Sequence, residues 1–396
     1  MAYIRIEAEV IGNIVIGSTP IIANHIESAD SISGSMLRGA LAGIWSPDDA
    51  GNEDFLSFFC RDDIRFRGLF PIPSGTDGTD FLTNSHFPFQ MPLSAFGCKY
   101  DAGMGRGGHG FIDGALNSLA AGMTCPHCHA PLKQCRDTSY YYMLSGKPKP
   151  ITTKKEIYIY HGTERSTKRA KNAALYSYTS VRNGERFLGW LTGTQERIDC
   201  FWKRLRESAR VSMKNDSEIE ANLRIGRAKK RRGYLRCTMK KIAPDADREE
   251  TLHPLFSREA NPKLRSDNRL IIMLQTPAIV YDRLFRPLTT LRPDDFFSES
   301  KLKDKVTEVN GRTFSATTVI DGWSGVHKLP RVPEIAVAAG STFVFTLNTA
   351  AVDHEGEALE ELKKIQADGI GERKNEGYGQ ILINPPFHRG EGKWLP

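Results

Sequence analysis

The sequence predicts an α+β protein in which one strand–helix–strand unit is used twice, with a cysteine-rich segment inserted in the first copy. Three observations predict it. Apolar runs open both halves, "YIRIEAEVIGNIVIG" at 3–17 and "NRLIIMLQTPAIVYD" at 268–282. An amphipathic stretch in each half leads into a basic, glycine-containing loop and then a strand. Between them lies a C-x2-C knuckle at Cys125 and Cys128.

In the first half, "SGSMLRGALAGIW" (33–45) reads as a helix capped by Ser33 or Ser35. "NGERFLGWLTG" (183–193) is a turn and strand, and "TQERIDCFWKRLRESARVSM" (194–213) a helix. "RIGRAKKRRGYLRC" (224–237) is a basic loop running into a strand. In the second half, "AGSTFVFTLNT" (339–349) is again a turn and strand. "HEGEALEELKKIQADG" (354–369) is an amphipathic helix with Ala358, Leu359, Leu362 and Ile365 on its apolar face. The loop "GIGERKNEGYGQI" (369–381) and the strand "GQILINPP" close the pattern. Both halves therefore read strand, helix, I-G-basic-G-Y loop, strand, which points to duplication. The implied unit is a split βαβ sheet with helices on one face. The expected architecture is two tandem ferredoxin-like (RNA-recognition-motif-like) domains, 1–245 and 246–396, the first carrying the insertion at about 95–140. Residues 285–320 show no readable pattern.

The bulk composition narrows the classes. A chain of 396 residues with 40% hydrophobic content suits two cored domains. The longest apolar stretch, around 270–280, is too short to cross a bilayer. The opening segment lacks the character of a signal peptide, so a cytoplasmic location is expected. Seven cysteines in a long chain argue against a disulfide framework. A net charge of +7 permits an anionic partner, and the basic run at 224–237, with Tyr234 among its glycines, suits phosphate contact and base stacking. The loop at 369–381 follows a helix instead of opening one, which excludes a dinucleotide fingerprint; no GK[ST] follows, which excludes a P-loop.

The pair "ISGSMLRGALAG" (32–43) and "GIGERKNEGYGQI", with "HGTERSTKRAKNAALYSYTSVRNGERFLGWLTG" (161–193) between them, resembles the RAMP superfamily of CRISPR-associated RNA-binding proteins. Size, doubled fold and insertion look most similar to the RAMP subunit that caps the crRNA 5′ end in type III-D effector complexes. The resemblance implies a non-catalytic RNA-binding subunit. Its partners would be the crRNA 5′ handle, the large polymerase-like subunit and backbone RAMP subunits. It assigns Gly369, Gly371, Arg373, Lys374, Gly377, Tyr378 and Gly379 to an RNA-facing loop whose amides form an anion nest, and Ser35 and Arg38 to an RNA-facing helix start. Tyr378 and Tyr234 would be available for stacking. Arg227, Lys229, Lys230 and Arg231 in the first loop bind either backbone phosphates or a neighbouring subunit.

The knuckle needs two more ligands for a tetrahedral Zn²⁺, from among Cys98, His109, His127, His129 and Cys135. The tight turn points His127 and His129 away, whereas Cys135 can reach. The family resemblance favours Cys98 and His109, giving a structural Cys98, His109, Cys125, Cys128 site. A catalytic zinc of the deaminase type is excluded by the missing H-x-E signature. The competing function is a metal-independent endoribonuclease that processes the crRNA precursor. His161 is then the best general base, with His25 and His327 behind it.

Overall fold

A computed structural model of the chain describes residues 2–17, 24–45, 52–73, 87–103, 107–118, 123–136, 139–163, 166, 170–226, 233–242, 262–324, 329–348 and 355–394. It is sheet-rich α+β, with several small sheets beside two larger ones. The chain divides into two compact units. One holds 1–78, 152–246 and 375–377; the other holds 79–151, 247–374 and 378–396.

The first unit is built on β1 (Ala2–Gly12), where the period-two pattern becomes a two-faced strand. Ala2, Ile4, Ile6, Ala8 and Val10 are buried, and the alternate residues are half-buried. Helix α1 (Gly34–Ala42) follows, capped by Ser33, whose side chain accepts from the Met36 amide. Ser33→Ala should cost about 1 kcal/mol, read as a lower urea midpoint, because one first-turn amide loses its acceptor. Next come α2 (Glu53–Phe59), β2 (Ile64–Pro71), β3 (Arg186–Gly193), α3 (Gln195–Glu207), β4 (Val211–Asn215), β5 (Glu218–Arg224) and β6 (Tyr234–Ile242). The sheet runs β4-β5-β6-β1-β3-β2, every neighbour antiparallel. Leu37 and Leu41 of α1 and Ile198, Phe201 and Leu205 of α3 pack on its apolar face. Helix α3 is shorter than the sequence suggests. Ser208 turns extended at its end, and β-branched Val211 opens a strand that pairs with β5. Outside this sheet stands a hairpin, Lys155–Thr163 with Ala170–Val181.

The second unit centres on β7 (Arg269–Leu274), α4 (Pro293–Phe297), β8 (Val306–Glu308), β9 (Thr342–Leu347), α5 (Glu355–Asp368) and β10 (Ile381–Ile383). Its sheet runs β8-β9-β7-β10, again antiparallel throughout. Both of its faces are covered. Leu270, Ile272 and Leu274 pack with Phe343 and Phe345 beneath Ala358 and Leu362, while Ile271 and Val344 pack on Ala115. That is why "LIIML" reads as a continuous apolar run where β1 alternates. In each unit the last strand lies beside the first, then the third, with the second outside it. The stretch 285–320 contains α4 and β8, five and three residues long, too short to show periodicity.

The insertion expected at about 95–140 in the first domain lies within 79–151, which clusters with the second unit. Strand pairing supplies the reason. Ala95–Cys98 lies between Phe111–Asp113 and Leu132–Gln134, and Phe111–Asp113 also pairs with Lys393–Trp394. At that junction Asp113 is fully buried, with His388 Nδ1 at 2.7 Å, Ser94 Oγ donating at 2.7 Å and the Ala115 amide donating at 2.9 Å.

Candidate functional site

The structure brings the four expected metal ligands together. Strand Ala95–Cys98 delivers Cys98 at its end. His109 is placed by its amide, which donates to Asp101 O at 2.8 Å. The knuckle closes through Cys125 N–H to Ala130 O at 2.8 Å and His129 N–H to Cys125 O at 2.9 Å, with His129 at φ 57°. Cys98 Sγ stands 3.5 Å from Cys128 Sγ, and Cys125 Sγ stands 3.4 Å from His109 Nδ1. All four ligand atoms lie within 4.8 Å of one another. A tetrahedral ion with bonds of about 2.0–2.3 Å places its ligand atoms about 3.3–3.8 Å apart, so the cluster could hold a metal ion.

The electrostatics agree with a ligand set. The Asp101 amide donating to sulfur, against an opposing desolvation, holds the Cys98 thiol at about 6, well below its ordinary 9.0. Burial alone raises Cys125, but the Cys128 and His127 amides outweigh it and its thiol is lowered. The Ala130 amide acts to lower Cys128, yet burial and the Cys98 and Cys125 sulfurs push it up on balance. His109 is raised, first by its hydrogen bond to Cys98. The distances put three sulfurs and an imidazole around one point, the condition a cation relieves. Cys135 is buried, but its sulfur packs where a Gly97 side chain would stand, and it is not one of the four. Cys135→Ser is therefore expected to leave the metal content per chain unchanged by atomic absorption. His127 stacks its ring on His109, with centroids 5.3 Å apart.

The glycines of the loop at 369–381 pack closely against backbone. In the second unit a Cβ on Gly371 would stand 2.2 Å from Ile279 O, on Gly369 2.5 Å from Gly379 O, and on Gly379 1.8 Å from Ile370 O. The amides of Gly369, Ile370, Glu372 and Gly379 already donate to Ile365, Gly379, Ile279 and Pro277 carbonyls. Here glycine serves close backbone approach at positive φ, and these four amides are already engaged by carbonyls. Arg373 pairs with Glu334 and lies over the Tyr378 ring at 5.0 Å; Lys374 Nζ is 2.7 Å from Asp368. Tyr378, read as a stacking platform, is buried with Ile279 and Ala336. Within the first unit, Arg38 holds the loop tip: it pairs with Glu376 at 2.9 Å and donates to Phe59 O at 3.1 Å. Ser35 Oγ lies 3.0 Å from Ser33 Oγ. Tyr234 is half-buried beneath the Arg224 guanidinium, 5.2 Å from its ring centre. Arg227, Lys229, Lys230 and Arg231 lie outside the described residues, as does His327. His161 is exposed on the hairpin opposite Leu175, and His25 Nδ1 lies 2.8 Å from Ser177 Oγ.

Sequence reasoning missed the carboxylates that hold these cations. Glu376 and Asp368 were visible inside and beside the loop; Glu334 arrives only through the fold. It also missed a column of tyrosines on the hairpin. Tyr158, Tyr178, Tyr160 and Tyr176 stack in that order with centroids 5.3–5.6 Å apart and planes within 12–22°. The signal was there in two Y-x-Y pairs, the period-two spacing that puts both rings of a pair on one strand face. Tyr176, at the end of the column, is 46% exposed.

Comparison with known proteins follows from this geometry. Among solved structures, the chain is similar to one in a type III-B Cmr-beta complex bound to cognate target RNA and AMPPnP, at 11% identity and TM-score 0.41, covering 91% of this chain and 93% of that one. It is also similar to one in the same kind of complex bound to cognate target RNA, at 12% identity and TM-score 0.40, covering 91% and 94%. A Thermus thermophilus Cas6 matches at 14% identity and TM-score 0.27, covering 50% and 75%. No curated protein matches. The family model of the CRISPR-associated protein Cas_Cmr3 matches residues 157–386, from the tyrosine hairpin through β10 and over more than half of the sequence, so the chain belongs to the Cas_Cmr3 family of CRISPR-associated proteins.

Proposed function

We propose that the chain is a non-catalytic crRNA-binding subunit of a type III effector ribonucleoprotein, of the type III-D kind, holding the 5′ handle of the guide. The observation that supports an effector subunit is the family match across both the hairpin and the second sheet; the type III-D kind and the handle rest on the sequence resemblance. The shared strand order of the two sheets supports a tandem ferredoxin-like architecture, the form in which the RNA-facing expectations were framed. With Tyr378 and Arg38 engaged inside the fold, the tyrosine column is the better surface for RNA. Its exposed end ring offers a π-face on which an unpaired base continues the stack, worth about 1–3 kcal/mol. The sequence between the hairpin strands adds Arg165, Lys168 and Arg169. The Cys98, His109, Cys125, Cys128 cluster holds a structural Zn²⁺: four protein ligands close the tetrahedron and leave no open position for chemistry. Its partners are the crRNA, the polymerase-like large subunit and backbone RAMP subunits. Among the described residues no helix is long and apolar enough to cross a membrane.

The test is to purify the assembled complex, extract its RNA and sequence the 5′ ends. RNA with one defined 5′ end is expected, and its release should rise steeply with salt. A complex without such RNA sinks the reading. A repeat-containing transcript cut by the isolated wild-type protein, but not by His161→Ala, would replace it with the nuclease reading.

A further inference from the structure

Half of the large hydrophobic side chains left exposed among the described residues lie between 284 and 335, all in the second unit. Two features carry them. The first is the turn Tyr281–Pro287. The Asp282 carboxylate accepts from the Leu284 amide at 2.8 Å, the Arg286 amide at 2.9 Å and Arg286 Nε at 2.7 Å. The Asp282 amide donates to Arg286 O at 2.9 Å. Phe285 is held at φ 57°, a region bulky side chains rarely enter. This frame presents Leu284 and Phe285 side by side, 70% and 86% exposed, with exposed Arg283 and Arg286 flanking them.

The second feature is an arm formed by 317–324 and 329–337, in which Thr317–Ile320 pairs with Glu334–Val337 and Trp323–Ser324 pairs with Leu329–Pro330. Val319 faces Ile335 across the first ladder, and both side chains are exposed. Trp323 and Val332 are 64% and 81% exposed. Turn and arm spring from one base, where Ala278 bridges Val337 and Tyr281 Oη donates to Glu334 at 3.1 Å.

The chemistry of these side chains selects the occupant. Leu284 and Val332 stand for an aliphatic majority, which gains by burial in an apolar pocket but has no ring face for a base. A cluster of exposed apolar groups flanked by arginine is the composition of a protein interface; Arg286 is held by Asp282, and exposed Arg283 calls for a carboxylate opposite. We propose that the turn and the arm form the docking surface for a neighbouring protein subunit that offers an apolar pocket rimmed by Asp or Glu. The neighbour's existence rests on the reading of the chain as part of a multisubunit ribonucleoprotein.

The experiment uses the full complex, purified through a tag on another subunit. A benzophenone amino acid replaces Phe285 in one preparation and Trp323 in another, and cross-linked products are identified by mass spectrometry after irradiation. A cross-link to a peptide of another subunit containing apolar and acidic residues is expected. A cross-link to RNA, or none in an assembled complex, overturns the proposal. In parallel, the double variant Leu284→Ser, Phe285→Ser should keep the isolated chain's thermal midpoint, since both side chains are exposed, while its recovery in the complex falls at least tenfold. Stoichiometric recovery of that variant also overturns it. RNA sequenced from the same wild-type complex separates this result from the guide-binding reading. Absence of guide RNA with the cross-link retained defeats the guide-binding reading alone.

Discussion

Cys125→Ser is expected to empty the metal site and lower the thermal midpoint by on the order of 10 °C. Metal content should fall from one ion per chain to near zero, and a strong chelator should do the same to the wild type. The effect is large because an ion held by these four residues would join pieces that hold little core of their own. Cys98 ends a four-residue strand, His109 sits before a three-residue one, and the knuckle leads into another of three. Removing one sulfur leaves two thiols and an imidazole crowded without the charge that reconciles them. Acid acts in the same direction. Cys98 is held at about 6, below its ordinary 9.0, chiefly by the Asp101 amide. Its thiolate contribution is thus complete above about 9 and lost as the pH falls through about 6. A Cys125→Ser protein that keeps both its metal and its midpoint would refute the assignment.

Gly371→Ala is expected to destabilise the second unit by about 3 kcal/mol, nearly as much as Gly371→Asp. Two costs add. Any side chain at φ 73° is strained, and its Cβ would stand 2.2 Å from Ile279 O, a backbone atom that cannot swing away. If the loop were instead an amide nest for phosphate, charge would decide: the alanine variant would fold and keep RNA, and the aspartate variant would release it. Thermal melts of both variants, with RNA recovered from each complex, separate the two accounts. Equal loss of stability supports packing; an alanine variant that melts like the wild type refutes it.

Much of the fold was legible in the sequence because burial has a period. Alternation in 3–17 marks a strand with one face on the core, and the unbroken run at 270–274 marks one covered on both faces. Helices α3 and α5 were visible for the same reason, with α3 overrun at its C-terminal end. The knuckle was legible because two thiolates on one turn are a local arrangement. Cys98 and His109 came from family resemblance, since no local rule links ligands separated by loops. The stretch 285–320 stayed opaque because its helix and strands run only three to five residues, too few for a pattern to repeat more than once or twice.

By itself, the sequence determined the strand and helix order of each half and the Cys125–Cys128 knuckle, because these are written in residue types at short, regular spacing, and its separate motifs carried the family. Only the tertiary structure decided what surrounds the glycine-rich loop. Read alone, "GIGERKNEGYGQI" shows bare amides and cations, the ingredients of a phosphate cradle. In the folded chain its glycines meet backbone carbonyls, and Arg373 and Arg38 meet Glu334 and Glu376. The physical reason is that free amides and unpaired charges are properties of surroundings, and those surroundings come from segments distant in sequence.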